Sequence, residues 1–493
     1  MFDAQQPLIK CPRLKNKILE EQIQAQLNKI TAGNPTIELV RPCRMEDGIL
    51  SFDSNDTLQL IPFFDKEKEK LDITFFIPAS GSGSRMFDTM FDYLNNTKDY
   101  KPDTIKTVEK FLNSIHEFAF FNKIPINYKK EIKLGTVNIR DLVESIVLDK
   151  HLNLGGLPKG LIPFHRYGKF IITPFQEHII QGSKVAGDNA NFHFTINPQF
   201  KGEIEETIQI LRAITGIEFN YFFSEQNEKT HAFAFDKNNH PVKFKDGAYL
   251  KRPAGHGALI HNLNEIDSDI VFIKNIDNIQ HYSKAKNSIQ TQKILGGKLI
   301  QFQQKVFAIV RELLKENNDY LKSIEAINAE YKLGLSKEDL GNKTFLIHYF
   351  NRPIRICGMV KNEGQPGGGP FWVRDKDGIT SKQIIEKSQI DKNTEQLNIS
   401  LHATHFNPVY LVCGLKNHKN EKYDLHQFKN ENHYFLVQKK NKGKSIKYIE
   451  EPGLWNGAMY NWLTLFYEID SNCFSPVKTI MDLLHPLHVE DKN

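Results

Sequence analysis

Residues 71–86 read LDITFFIPASGSGSRM. Ile73, Phe75, Phe76 and Ile77 make the short, continuous apolar run of a strand covered on both faces. Gly81 and Gly83, set among serines, then break the run just before Arg85. Beyond them Met86, Met90 and Leu94 recur four apart, which is the spacing of one helix face. The stretch is therefore a strand, a glycine turn and a helix start, the layout of an α/β domain. Backbone N–H groups left unbonded at such a turn can seat a phosphate, and a guanidinium beside them suits phosphate oxygens held bidentately. The same turn also serves a purely structural role in many folds. It lacks the Gly-Lys-Ser/Thr of a P-loop, and Met86 stands where the dinucleotide fingerprint has its third glycine.

The chain has 493 residues, 40% of them hydrophobic and 25% charged, enough for two or three domains with a sizeable core. Its net charge is only +5, with the two signs interspersed, which argues against nucleic-acid binding through a broad basic face. Cys11, Cys43, Cys357, Cys413 and Cys473 are scattered and show no CxxC spacing, so they read as reduced structural thiols in a cytoplasmic protein. The first residues, MFDAQQPLIKCPRLKNK, contain no apolar core of a signal peptide. No stretch approaches the roughly 18 apolar residues of a membrane span, and neither export nor membrane insertion is expected.

Patterning divides the chain coarsely. NKILEEQIQAQLNKI (16–30) is an amphipathic helix, and FDKEKEK (64–70) is a solvated charge run. Residues 88–150 are mainly helical, short apolar strands alternate with polar loops over 165–280, and 297–333 returns to helix. The last third is rich in strands. The expected organisation is a helical and extended arm at 1–70, a core at 71–410 with helical insertions at about 88–150 and 281–340, and a region at 411–493 that closes the site.

Several motifs carry chemistry. PASGSGSRM (78–86) resembles the phosphate loop of sugar-1-phosphate nucleotidylyltransferases, with Ser84 in place of the usual threonine. Further similarities follow in that family's chain order, nearest its UDP-sugar pyrophosphorylase branch. GLPKGLIPF (156–164) resembles the Pro-Lys-Gly motif, and FSEQ (223–226) the segment that supplies a base-contacting glutamine. RPAGHGAL (252–259) resembles the loop enclosing the nucleotide, and FIKNIDNI (272–279) the stretch whose aspartate lies at the metal. QIIEKSQI (383–390) resembles a sugar-facing strand, and FSPVKTIMDLL (474–484) a segment whose lysine reaches the phosphates. The whole sequence also resembles an uncharacterised bacterial family, a domain of unknown function, that shares these motifs.

The resemblance implies a glycosyltransferase-A-like, Rossmann-like mixed sheet flanked by helices. It also implies an Mg²⁺-dependent enzyme whose partners are a nucleoside triphosphate, UTP favoured, and a sugar 1-phosphate. Arg85, Lys159 and Lys478 would neutralise phosphate charge, while Gly81, Gly83 and Ser84 cradle it. Gln226, Gly255, His256 and Gly257 would hold the base end, Asn278, Gly358, Glu386 and Asn407 would face the sugar, and Asp277 would bind the metal.

The residues also have a reading of their own. DIVFIKNIDNI (269–279) is an apolar strand that turns polar at Asn275, Asp277 and Asn278, and ligands in open α/β sheets bind beyond such strand ends. Asp277 there is either an Mg²⁺ ligand or part of a turn. Lys159, between glycines, is either a phosphate-reaching ammonium or a surface turn lysine. His256, also flanked by glycines, either bonds a ligand or caps its turn. Nucleotidyl transfer needs no general base, because the attacking phosphate oxygen is already anionic; alignment and charge neutralisation suffice.

NEGQPGGGPF (362–371) reads as a linker or a sugar-side loop. His402 and His405 stand three apart without a third ligand, which favours a structural pair. PGLWNGAMYNW (452–462) fits core packing as well as ligand stacking. The chain departs from the family pattern in two places. Gly81 and Lys159 are 159 − 81 = 78 residues apart, with helix between them, and NID offers one carboxylate where related glycosyltransferases carry Asp-x-Asp. No hexapeptide repeat is present. The two other readings are a non-catalytic nucleotide or nucleotide-sugar sensor on the same fold, and a glycosyltransferase.

Overall fold

The computed structural model describes residues 12–96, 100–188, 190–226, 230–315, 320–364, 367–441 and 444–490. The 73–77 run is the keystone. All five residues are buried in a strand, Ile73–Pro78, and Phe75 stacks between Phe192 and Phe272 with ring centroids 5.1 and 5.2 Å away. Its parallel neighbours are Ala190–Ile196 on one side and Ile270–Lys274 on the other, and Phe219–Glu225 lies parallel beyond Ala190–Ile196 at the sheet edge. The strand order therefore reverses at Ile73–Pro78, because the next strand in sequence lies to one side and a later one to the other.

Beyond Ile270–Lys274 the antiparallel strand Tyr410–Gly414 leads to a second parallel group, Ile354–Lys361, Leu463–Glu468 and Gly48–Leu50. The result is one mixed sheet of ten strands among the described residues. It draws on the 1–70 and 411–493 stretches as well as on 71–410. The α/β class is as expected, with helices on both faces. One face packs Phe75, Ile77, Phe192, Phe194 and Phe272 under helices Pro174–Ala186, Lys201–Thr215 and Lys286–Leu313. The other packs Phe76, Val271 and Ile273 under the short helix Leu259–Glu265.

The 88–150 region is helical, and its apolar side forms a cluster of its own with Met86, Met90, Phe111, Phe118, Val143 and Ile146. Val477, Ile480 and Leu483 from the C-terminal segment complete that cluster, so the 88–150 region and this segment pack as one body. Residues 54–67 of the stretch around the charge run are helical too, started by a reciprocal Asp53–Asp56 capping box. Smaller antiparallel units, such as Glu38–Pro42 with Gly369–Arg374 and Thr380–Ile385, sit at the periphery. Cys43, Cys357, Cys413 and Cys473 are buried free thiols, while Cys11 lies outside the described residues. No helix among the described residues is long and apolar enough to cross a membrane.

Candidate functional site

A cleft of about 710 Å³ opens beyond the carboxyl ends of Ile73–Pro78 and Ile270–Lys274. That is the point where the strand order reverses, and neighbouring loops there diverge to opposite faces of the sheet and leave a crevice. Its walls include Ser80, Gly81, Arg85, Lys159, Asp277 and Lys478 at one end and Gln226, Gly255 and His256 at the other.

The glycine turn is built against the Pro-Lys-Gly loop despite their distance in sequence. Gly83 N donates to Leu157 O at 3.0 Å, Lys159 N donates to Gly81 O at 3.2 Å, and Ser82 and Pro158 face each other in a β-bridge. A methyl on Gly83 would stand 2.5 Å from Ile162 Cδ1 and 2.8 Å from Leu157 O, so glycine is required for this close approach. Gly81 has nothing within 4 Å of a Cβ and faces the cleft. Ser84 N donates to Ser82 Oγ at 3.1 Å, and a 3₁₀ turn from Ser84 leads into helix Asp88–Asn95.

Lys159, Asp277 and Lys478 meet at a single oxygen. Lys159 Nζ donates to Asp277 Oδ2 at 3.0 Å and to Val477 O at 2.9 Å, and Lys478 Nζ donates to the same Oδ2 at 2.9 Å. Val477 N donates to the Asp277 carbonyl at 3.1 Å, which ties the two backbones together. Burial pushes the Asp277 carboxyl up, but the two ammoniums outweigh it and hold it below the ordinary carboxylate range. Burial likewise pushes the Lys159 ammonium down; Asp277 opposes that shift only in part, since Lys478 and Arg85 add repulsion. Among the described residues, the Arg85 end of the cleft therefore holds three cations against one carboxylate, an arrangement that an entering anion relieves.

At the other end Gln226 Nε2 donates to Gly255 O at 3.3 Å, and Gly255 takes a positive φ of 74°. The His256 ring lies on Trp455, 4.2 Å between centroids, and its Nδ1 accepts from Leu454 N at 3.1 Å. Burial pushes His256 down to about 4, so the ring is neutral near pH 7 and is a stacking and hydrogen-bonding group. The fully buried Arg355 fixes that wall by donating to Trp455 O at 2.7 Å. Gly257 sits beneath, where a Cβ would meet Pro452 O at 2.4 Å.

The other sequence-derived residues fall elsewhere. Asn278 is 1% exposed and accepts from Ser475 N through Oδ1, at 3.0 Å. Gly358, Glu386 and Asn407 form a second group that does not line this cleft. There Asn407 donates to Gly358 O at 3.3 Å, Gly368 O accepts from Asn407 N, and Glu386 lies beside Gly368 and Asn456. In the glycine-rich 362–371 stretch, residues 365–366 lie outside the described residues and a strand begins at Gly369. His402 is exposed and bonds Asn398 O, whereas His405 is buried against Glu468 at 3.2 Å, so the two do not converge. Pro78, Pro253, Leu259 and Asn275 also line the cleft; each falls within a quoted motif or strand end, but none carries a sequence-derived role of its own.

Among the described residues no group of three or more His, Cys, Asp or Glu side chains is arranged to hold a metal. Mg²⁺ in phosphate-transfer sites commonly takes one or two carboxylates and completes its shell with substrate oxygens and water. Asp277 meets that lesser requirement, with phosphate oxygens needed to supply the rest.

The chain belongs to the family described as a domain of unknown function (DUF4301), whose model matches residues 11–489. No curated protein matches the sequence. Among solved structures it is similar to the uridine diphosphate N-acetylglucosamine pyrophosphorylase of Trypanosoma brucei, at 12% identity and a TM-score of 0.48 over 94% of this chain and 74% of that one. It is also similar to a UDP-glucose phosphorylase of the same organism, at 12% identity and a TM-score of 0.43 over 95% and 75%. A mutant UDP-glucose pyrophosphorylase from Leishmania major matches at 12% identity and 0.41, over 94% and 74%. Likenesses of that degree carry nothing about what this chain binds.

Proposed function

We propose that this member of the DUF4301 family transfers a nucleotidyl group from a nucleoside triphosphate, UTP favoured, to a sugar 1-phosphate and releases pyrophosphate. The observation that carries this reading is the meeting of Lys159, Lys478 and Asp277 beside the Gly81–Arg85 turn at the sheet's reversal point. Such chemistry needs little beyond alignment and charge neutralisation, because the nucleophile is already an anion. On arrival of the triphosphate, Lys159 and Lys478 exchange Asp277 for phosphate oxygens. Arg85 faces the same oxygens from the turn, and Gly81 lets them approach the backbone. The neutral His256 on Trp455, with Gln226, forms the wall for the base. Asp277, released from the lysines, would hold Mg²⁺, which supplies further neutralisation of the α-phosphate and the departing pyrophosphate. Gly358, Glu386 and Asn407 remain the proposed sugar-side group.

The test is pyrophosphate release from the purified protein with Mg²⁺, each of the common nucleoside triphosphates, and a panel of sugar 1-phosphates. Release that requires both substrates supports the reading; none across the panel refutes it. One observation favours a second reading, a non-catalytic nucleotide or nucleotide-sugar sensor: among the described residues, the one carboxylate lining the phosphate end is already bound by two ammoniums. That reading expects stabilisation by UTP or a UDP-sugar without turnover.

A further inference from the structure

Lys478 reaches the cleft from a C-terminal segment, and besides Lys159 and Asp277 a further set of groups that do not line the cleft fastens this segment. Helix Pro174–Ala186 begins on a Thr173–Gln176 capping box and presents Glu177, His178 and Gln181 along one face. His178 Nε2 lies 3.2 Å from Ile276 O, and Gln181 Nε2 donates to Gln280 O at 2.7 Å. Tyr167 OH donates to the Glu177 carboxylate at 2.8 Å and accepts from Tyr282 N at 2.8 Å. These contacts grip the 275–282 loop, which carries Asp277, from its rear.

The same Glu177 starts a second chain of contacts that runs to the Lys478 segment. Its Oε2 is 3.0 Å from His165 Nδ1, and both side chains are 0% exposed. His165 Nε2 is 2.9 Å from His488 Nδ1, and His488 Nε2 is 3.1 Å from Ser475 O. A carbonyl only accepts, so His488 donates through Nε2 and accepts at Nδ1. His165 then donates its Nε2–H, and one proton lies between its Nδ1 and Glu177. Burial, with His165 adding to it, pushes His488 down to about 3, which agrees with a neutral ring in this role. Backbone bonds run alongside, with His281 N donating to Leu487 O at 2.9 Å and Ser475 N to Asn278 Oδ1 at 3.0 Å.

We propose that Glu177, through His165 and His488, is the positioning centre of the phosphate end: it fastens the 475–488 segment and the 275–282 loop to one helix, and so fixes Lys478 against Asp277. This rests on the reading that Lys159 and Lys478 receive phosphate. A fully buried hub bonded to both segments holds Lys478 and Asp277 at one spacing as the anion arrives. Without it the segment keeps its apolar anchors, Val477, Ile480 and Leu483, and its bonds to His281, Asn278 and Asp277, but loses the buried link that ties His488 to helix Pro174–Ala186.

The experiment is a double-mutant cycle read by calorimetric binding of inorganic pyrophosphate to the full chain, with hydrogen exchange over 475–488. His488→Gln keeps a donor for Ser475 but offers His165 no lone pair where Nδ1 stood; His488→Asn restores an acceptor there. The expected result is about fivefold weaker pyrophosphate binding and faster exchange in H488Q, with recovery in H488N. The H488Q/K478A double variant should bind no more weakly than K478A, since His488 acts through Lys478. Additive losses, or wild-type binding and exchange in H488Q, overturn the proposal. Failure of every triphosphate to release pyrophosphate would sink the transferase reading and leave this cycle readable. If the wild-type protein binds no pyrophosphate, the phosphate reading falls, and unchanged exchange in H488Q overturns the fastening as well.

Discussion

Replacing Asp277 by asparagine should weaken the fold while tightening metal-free binding of pyrophosphate. Both ammoniums contact one oxygen, at 3.0 and 2.9 Å. At an effective dielectric constant of about 20, each contact is worth about 5.5 kcal/mol of Coulomb attraction before desolvation is subtracted. Lys478 is 57% exposed, so water screens its pair to about 0–1 kcal/mol. Lys159 is only 15% exposed, and stranding a charge of that kind costs about 3 kcal/mol. Unfolding entropy of roughly 2 cal/mol/K per residue gives about 1 kcal/mol/K for the 493-residue chain, so the melting temperature should fall by about 3 °C. Pyrophosphate in the native protein must take the lysines from Asp277; in D277N it meets them unpaired. Its affinity in EDTA should therefore rise about tenfold, an effect of about 1.4 kcal/mol. Scanning calorimetry with and without pyrophosphate, and titration calorimetry in EDTA, read both effects. A melting temperature within about 0.5 °C of the native one, or weaker anion binding, would refute the competition between carboxylate and phosphate.

Gly83→Ala should destabilise by about 1–3 kcal/mol, because its Cβ meets Leu157 O at 2.8 Å, whereas Gly81→Ala should melt like the native chain and lose nucleotide affinity; reversed melting temperatures would contradict the turn geometry. Arg85→Ala should leave stability within about 0.5 kcal/mol and weaken pyrophosphate binding with a shallower salt dependence, measured by titration at two ionic strengths. His193, His256 and His433 are pushed by burial down to about 4, and His488 down to about 3. Between those values and about 6.5 the unfolded chain binds protons that the folded chain does not, so stability is full above about pH 6.5 and falls on acidification. Each of the four should cost on the order of 1 kcal/mol by about pH 5.5, and urea unfolding across pH 5–7.5 checks the sign; a flat profile would mean that these rings protonate in place.

The α/β class, the 73–77 strand, the glycine turn and the set of charged residues were legible because each is a local property. An unbroken apolar run dictates a strand buried on both faces, and a strand that turns polar at Asn275 and Asp277 marks its own carboxyl end. Which of those charges meet is not local. Gly81 and Lys159 share a backbone bond across 78 residues because an intervening helical cluster folds back through Phe111, Phe118 and Ile146, and no spacing rule in the sequence reports that closure. Nothing in the sequence sets Lys159 and Lys478 on one carboxylate oxygen, or puts Glu177, His165 and His488 in one buried chain. The only sequence trace of Glu177, His165 and His488 is polar residues inside apolar stretches, a pattern that solvent-facing positions share. Local chemistry chose the side chains; burial, strand order and the packing of the C-terminal segment decided which of them stand within hydrogen-bond reach.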